Sequence, residues 1–148
     1  MFRRARPTKP FMEAPRAGST ISRVRPSRVL MIEDNVTLLD LYTLVLEEEH
    51  EVLRATRGEE GYEIARERRP DAIVVDVMLP DLDGLQLCDR LRDTKELSST
   101  PLVVLTGDDA AHARASIARH LDAVLKKPCS GDDLLHTLRR ALAVRAIR

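Results

Sequence analysis

Five short runs of apolar residues alternate along this chain with five stretches in which apolar residues recur at helical spacing. The runs lie near residues 28–33, 51–55, 72–76, 101–105 and 123–126, and the helical patterns near 35–48, 58–68, 84–93, 108–119 and 131–146. Strands alternating with helices predict a parallel sheet covered by helices on both faces. The first, third and fourth runs are continuously apolar (Val29-Leu30-Met31-Ile32, Ile73-Val74-Val75 and Leu102-Val103-Val104-Leu105), as strands buried on both faces should be. The second and fifth carry Arg54 and Lys126 and suit the edges. The fold class that follows is α/β: a doubly wound five-stranded parallel sheet of order 2-1-3-4-5.

Local signals agree with this division. Asn35 can open the first helix, whose apolar stripe reads Leu38, Leu41, Tyr42 and Val45. Pro70 follows the second helix. Ser130, with Asp133 three residues on, suits the start of the last, striped by Leu134, Leu138, Ala141 and Leu142. No internal repeat is visible.

Residues 1–27 break the pattern. They contain Pro7, Pro10, Pro15 and Pro26 with Gly18, Ser19 and Thr20, and no apolar period. Such a segment buries too little to offset the entropy of ordering, so a disordered tail is expected, leaving 28–148 as one domain. Through Arg28 the chain carries eight basic side chains against the single acid Glu13, a net of +7. The whole chain is formally neutral, so the remainder carries −7. A basic arm on an acidic domain raises nucleic acid as a partner for the tail. The arm's aromatics are Phe2 and Phe11 alone, and a solubilising tail is the simpler expectation. The tail has no continuous apolar segment of the secretory kind. Its arginines resemble those of an organelle transit peptide, and Met12 offers an alternative start.

The longest apolar runs are strand-sized, so no membrane association is expected. Cys88 and Cys129 fit no metal-ligand spacing, which points to a reducing, cytoplasmic setting.

Candidate chemistry sits where the apolar runs end. Glu33 and Asp34 follow the first run, Asp76 the third, Thr106 the fourth and Lys127 the fifth. Taken singly, each has an ordinary reading: an acid pair at a helix start, a turn before Pro80, Asp81, Asp83 and Gly84, a capping threonine, a Lys-Pro turn. Together they lie along one carboxyl edge, where open α/β sheets bind ligands. Three crowded carboxylates repel, so a hard cation such as Mg²⁺ is needed to hold them. A hydroxyl and an ammonium beside them suit a phosphoryl group.

Four stretches in order resemble the response-regulator receiver family, the CheY-like phosphoacceptor domains of two-component signalling. They are Val29 to Asn35, Asp71 to Gly84, Pro101 to Gly107, and Leu125 to Pro128. The resemblance implies a flavodoxin/CheY-like fold from about residue 28 onward. It implies Asp76 as phosphoacceptor, and Mg²⁺ held by Asp34, Asp76 and the backbone carbonyl of Met78, with Glu33 assisting directly or through water. It implies Thr106 and Lys127 on the phosphoryl oxygens, while Lys126, one residue earlier on an alternating strand, points elsewhere. The implied donor is a phosphohistidine on a histidine kinase or histidine phosphotransfer protein, docked on the first helix, where Val36 and Leu44 fall outside the core stripe. Output goes to another protein through contact, with no fused output domain expected. Phosphorylation and dephosphorylation are self-catalysed, and the chain is not classed as an enzyme.

Departures from the family pattern are also legible. Val124 stands where an aromatic residue is usual, so the face of the fourth helix, fifth strand and fifth helix is expected to respond less to phosphorylation. Gly107 replaces a common alanine, and Cys129 a frequent aromatic. His50, His112, His120 and His136 follow none of the motifs and read as surface residues. A phosphatase of the haloacid-dehalogenase type also uses an aspartate and Mg²⁺. It needs a second acid two residues after the nucleophile, where Met78 stands, and a cap domain that the length does not accommodate.

Overall fold

A computed structural model describes residues 25–116, 118 and 120–146; most of the basic tail lies outside the described residues. The elements alternate as the apolar pattern requires: β1 (Arg28–Ile32), α1 (Val36–Leu46), β2 (Glu51–Ala55), α2 (Gly58–Arg68), β3 (Ala72–Asp76), α3 (Gly84–Asp93), β4 (Leu102–Thr106), α4 (Asp109–Ser116), β5 (Ala123–Lys126) and α5 (Gly131–Ala146). A 3-10 turn over Lys95–Leu97 follows α3. All strand pairs are parallel, in the order β2-β1-β3-β4-β5.

Alternation along the central strands divides the core in two. Leu30, Ile32, Ile73, Val75, Leu102 and Val104 face one side, where Leu87, Cys88 and Leu91 of α3, Ala65 of α2 and Ala111 and Ala115 of α4 cover them. Val29, Met31, Ala72, Val74, Val103 and Leu105 face the other, under Leu39, Tyr42 and Leu46 of α1 and Leu134, Leu135, Leu138 and Ala141 of α5. Strands buried on both faces explain the unbroken apolar runs. β2 and β5 are the edges, with Arg54 and Lys126 exposed.

The face of α1 differs from the one expected. Leu39, Tyr42, Thr43 and Leu46 are buried, Leu38 and Val45 flank them, and Leu41 is 52% exposed. The helix reads VTLLDLYTLVL, apolar over nearly its whole circumference, so spacing alone leaves its rotation open; packing against Met31 and α5 decides it. Thr43 is accommodated because its hydroxyl donates to the Leu39 carbonyl at 2.6 Å. In α5 Leu135 joins the expected stripe and Leu142 sits at its margin.

Parallel order brings the carboxyl ends of β1, β3 and β4 side by side. Ile32 pairs with Val75, and Asp76 with Leu105, so Glu33, Asp76 and Thr106 end neighbouring strands. Lys127 follows the last residue of β5, and its N–H donates to the Thr106 carbonyl at 2.6 Å.

Candidate functional site at the carboxyl edge of the sheet

Glu33 continues β1 by one residue, its N–H donating to the Ala55 carbonyl at 3.0 Å, and it is 1% exposed. One carboxylate oxygen accepts from the Asn35 N–H at 3.1 Å and the other from Lys127 Nζ at 2.6 Å. Asp34, the next residue, is exposed to solvent. Asn35 then caps α1, its Oδ1 accepting from the Leu38 N–H at 3.0 Å. Asp76 is 2% exposed; its Oδ1 accepts from the Met78 N–H at 3.2 Å and its Oδ2 lies 3.4 Å from Lys127 Nζ.

Glu33, Asp34 and Asp76 each offer a carboxylate oxygen within 4.8 Å of the others. Burial, followed by the Glu33 carboxylate, pushes the Asp76 pKa up to about 7 against the pull of Lys127 and the Met78 N–H. Burial acts the opposite way on Lys127, but Glu33 and Asp76 outweigh it and hold the ammonium charged. One ammonium thus serves two buried carboxylates, with a third beside them. The donor set is oxygen only and carries surplus negative charge. It fits a hard divalent cation.

The loop from Val77 to Asp83 is tied down at three points. The Gly84 N–H donates to the Val77 carbonyl at 2.8 Å, and a Cβ built on Gly84 would lie 2.3 Å from the Asp76 carbonyl oxygen. A glycine is required there for α3 to approach the strand end. Asp83 caps α3 through the Leu85 N–H at 3.0 Å and pairs with Arg114 of α4 at 2.8 Å. Asp81 reaches across to α2, accepting from the Gly58 and Glu59 N–H groups at 2.8 and 2.9 Å. Burial works against ionisation of Asp81, but those two amides win and hold it below the usual carboxylate range. It replaces the cap that Arg57, at the N-cap position, does not supply. The Met78 side chain is 61% exposed beside a groove of about 410 Å³ that Asp34, Pro80 and Arg114 also line.

All six residues singled out in the sequence therefore fall at one end of the sheet, with Glu33, Asp34, Asp76 and Lys127 converging. Lys126 turns away and pairs with Asp109, as alternation requires. Val124 is half-buried against the apolar cluster that contains Val104, Ala111 and Ala115. Nothing lies within 4 Å of a Cβ built on Gly107. Cys129 is half-buried, and the Tyr42 pKa is pushed up to about 12 by burial and by that thiol.

The histidines are less uniform than expected. His136 is exposed. His120 pairs with Asp89 at 2.7 Å. His50 is a correction: both ring nitrogens are buried without a hydrogen-bond partner among the described residues, and burial lowers its pKa. His50 stands between the end of α1 and the start of β2, and local sequence does not signal the burial of its ring. His112 is a second correction, since its Nδ1 lies 3.4 Å from Thr106 Oγ1. The available hint was its place beside Ala111, one turn after Asp108, which caps α4 through the Ala111 N–H at 2.7 Å. Arg114, which ties α4 to the loop, was also not anticipated.

A five-stranded α/β sheet with acids and a lysine gathered at its carboxyl edge defines a class of ligand-binding fold; sequence comparison narrows it. Residues 29–139 match the family model described as Response regulator receiver domain, and the chain belongs to that family. It is 31% identical over 119 residues to Protein PilH of Pseudomonas aeruginosa, covering 79% of this chain and 98% of the relative. It is 35% identical over 118 residues to Transcriptional regulatory protein AfsQ1 of Streptomyces coelicolor, covering 79% of this chain and 51% of that protein. The chain thus spans about half the length of AfsQ1. Chemotaxis response regulator CheY4 of Vibrio cholerae superposes with a TM-score of 0.73 at 25% identity, covering 79% of this chain and 99% of that one. The CheY-like architecture and the strand order expected from the sequence are those observed. No helix among the described residues is long and apolar enough to cross a membrane.

Proposed function

We propose that this receiver domain accepts a phosphoryl group on Asp76 from a phosphohistidine of a histidine kinase or histidine phosphotransfer protein, and passes the signal on by protein–protein contact. The observation that carries the reading is the convergence of Asp76 with Glu33, Asp34 and the Lys127 ammonium at the buried strand end. Asp76 Oδ attacks phosphorus, the P–N bond to the donor imidazole breaks, and its electron pair leaves with the imidazole nitrogen. Little covalent chemistry is asked of the protein beyond positioning and charge neutralisation.

Glu33, Asp34, Asp76 and the Met78 carbonyl are the groups that would hold Mg²⁺, which when bound supplies positive charge for the equatorial phosphoryl oxygens and favours ionised Asp76. The chain's own residues do the rest. Lys127 offsets charge from its position between Glu33 and Asp76, and the Thr106 hydroxyl, on the neighbouring strand end, donates to a phosphoryl oxygen. Gly84 lets α3 close against the Asp76 backbone and so holds the nucleophile in place. The reaction is self-catalysed and stoichiometric, so the domain is a signalling module rather than a conventional enzyme. Val36 and Leu44 of α1, 58% and 67% exposed, form the surface on which the donor domain is expected to dock.

Incubation with acetyl phosphate and Mg²⁺ should add one base-labile phosphoryl group, read by intact mass. Asp76→Asn should abolish it, because an amide is no nucleophile. Equal single-site labelling of the variant would overturn the assignment.

A further inference from the structure

Thr106 is wholly buried at the end of β4, and the partner of its hydroxyl is the imidazole of His112 at 3.4 Å. His112 sits in the first turn of α4, its N–H bonded to the Asp108 carbonyl at 3.0 Å. That helix is tied to its surroundings by two further side chains: Arg114 to Asp83 in the loop after β3, and Asp109 to Lys126 on β5. Val124, on β5 opposite Val104, contributes only methyl groups to this layer. Among the described residues, the polar link between the Thr106 hydroxyl at the end of β4 and α4 is the imidazole.

We propose that His112 is a positioning residue that holds the Thr106 hydroxyl in the resting protein and is released when that hydroxyl turns to a phosphoryl group on Asp76, so that α4 senses the modification through an imidazole. This rests on the phosphoacceptor reading of Asp76. A threonine hydroxyl has one proton to donate. With the neutral imidazole protonated on Nε2, Thr106 donates to Nδ1. Phosphoryl oxygens only accept, so the same proton cannot serve both partners, and making one bond breaks the other. With the proton on Nδ1 instead, His112 would donate to Oγ1 and the contact would survive phosphorylation. The tautomer and its response decide the matter.

The test uses the full chain with ¹⁵N-labelled histidine, with Mg²⁺ and beryllofluoride as the phosphoryl mimic; ¹⁹F signals report occupancy of the mimic. In the resting protein His112 Nδ1 should read as unprotonated and hydrogen-bonded. Thr106→Val should shift it without beryllofluoride, whereas Thr106→Ser, which keeps the hydroxyl, should not. Beryllofluoride should shift it in the same direction in the parent and add nothing in Thr106→Val. His112→Leu should bind the mimic about two- to fivefold more tightly, the worth of one weak hydrogen bond no longer broken. His112→Asn, which keeps an acceptor, should stay near the parent. A protonated Nδ1, a signal unmoved by Thr106→Val, a signal unmoved by bound beryllofluoride, or equal effects of the Leu and Asn variants would overturn the proposal. Absence of beryllofluoride binding in the ¹⁹F spectrum would instead overturn the phosphoacceptor reading, and this proposal with it.

Discussion

Replacing Asp76 by asparagine should stabilise the metal-free protein, and the gain should depend on pH in a direction the site dictates. The folded Asp76 carboxyl titrates near 7, whereas its unfolded value is 3.8. An acid whose pKa is raised by folding binds its proton more tightly in the native state. Its contribution is therefore most favourable at low pH, declines as pH rises from about 4 to about 7, and is flat beyond. Each pH unit within that window is worth about 1.4 kcal/mol, so the ionised group costs the fold up to about 4 kcal/mol above pH 7. The amide of Asp76→Asn would occupy the same volume and accept from the Met78 N–H without the charge. It also leaves Lys127 with Glu33 alone, which recovers less than the full amount; a net gain of about 1–3 kcal/mol at pH 8 is expected. Urea unfolding in EDTA at pH 5 and pH 8 measures it. The gain of Asp76→Asn over the parent should be large at pH 8 and shrink towards pH 5, and Mg²⁺ should narrow it by stabilising the parent through binding. A gain independent of pH, or a loss at pH 8, would show that Asp76 is not held in its site against repulsion and burial.

Three further outcomes follow from the same geometry. Gly84→Ala should lose about 3 kcal/mol in urea unfolding, because its Cβ meets the Asp76 carbonyl oxygen at 2.3 Å and neither backbone can yield cheaply. Asp81→Ala removes both side-chain bonds to the start of α2 and should cost about 1–2 kcal/mol, with hydrogen exchange rising at Gly58 and Glu59. His50 must be neutral to stay buried, and its pKa is lowered by folding; its contribution is present above the unfolded value near 6.5 and lost as pH falls through the lower folded value. That slope is opposite in sign to the one from Asp76, so His50→Leu should make the stability of the protein fall less than the parent's between pH 7 and pH 5, and an unchanged difference at the two pH values would refute the burial argument.

How much of this was legible in the chain depends on how local each cause is. The central strands announced themselves because burial on both faces demands unbroken apolar runs, and parallel order followed from their alternation with helices. The site residues were legible for the same reason: each directly follows a strand, and parallel strands end on one edge. The rotation of α1 was not, since a helix apolar nearly all round gives no preferred face until Met31 and α5 press on it. Nor was the role of Asp81, a turn residue by its neighbours, whose partners at Gly58 and Glu59 lie more than twenty positions earlier.

Hydrophobic periodicity and strand direction are properties of local chain chemistry, so the five strands, the five helices, their parallel arrangement and the acids, hydroxyl and lysine at the carboxyl ends could be read along the chain, although the 3-10 turn over Lys95–Leu97 could not. What those groups experience is set by their surroundings in the folded protein. Burial of Asp76 beside Glu33 raises its pKa, Lys127 divides its ammonium between two carboxylates, and His112 meets the Thr106 hydroxyl from another element. Electrostatic and hydrogen-bond energies depend on distance and dielectric in space. Neither quantity is written along the chain, and both appear only once the strand ends and helices are brought together.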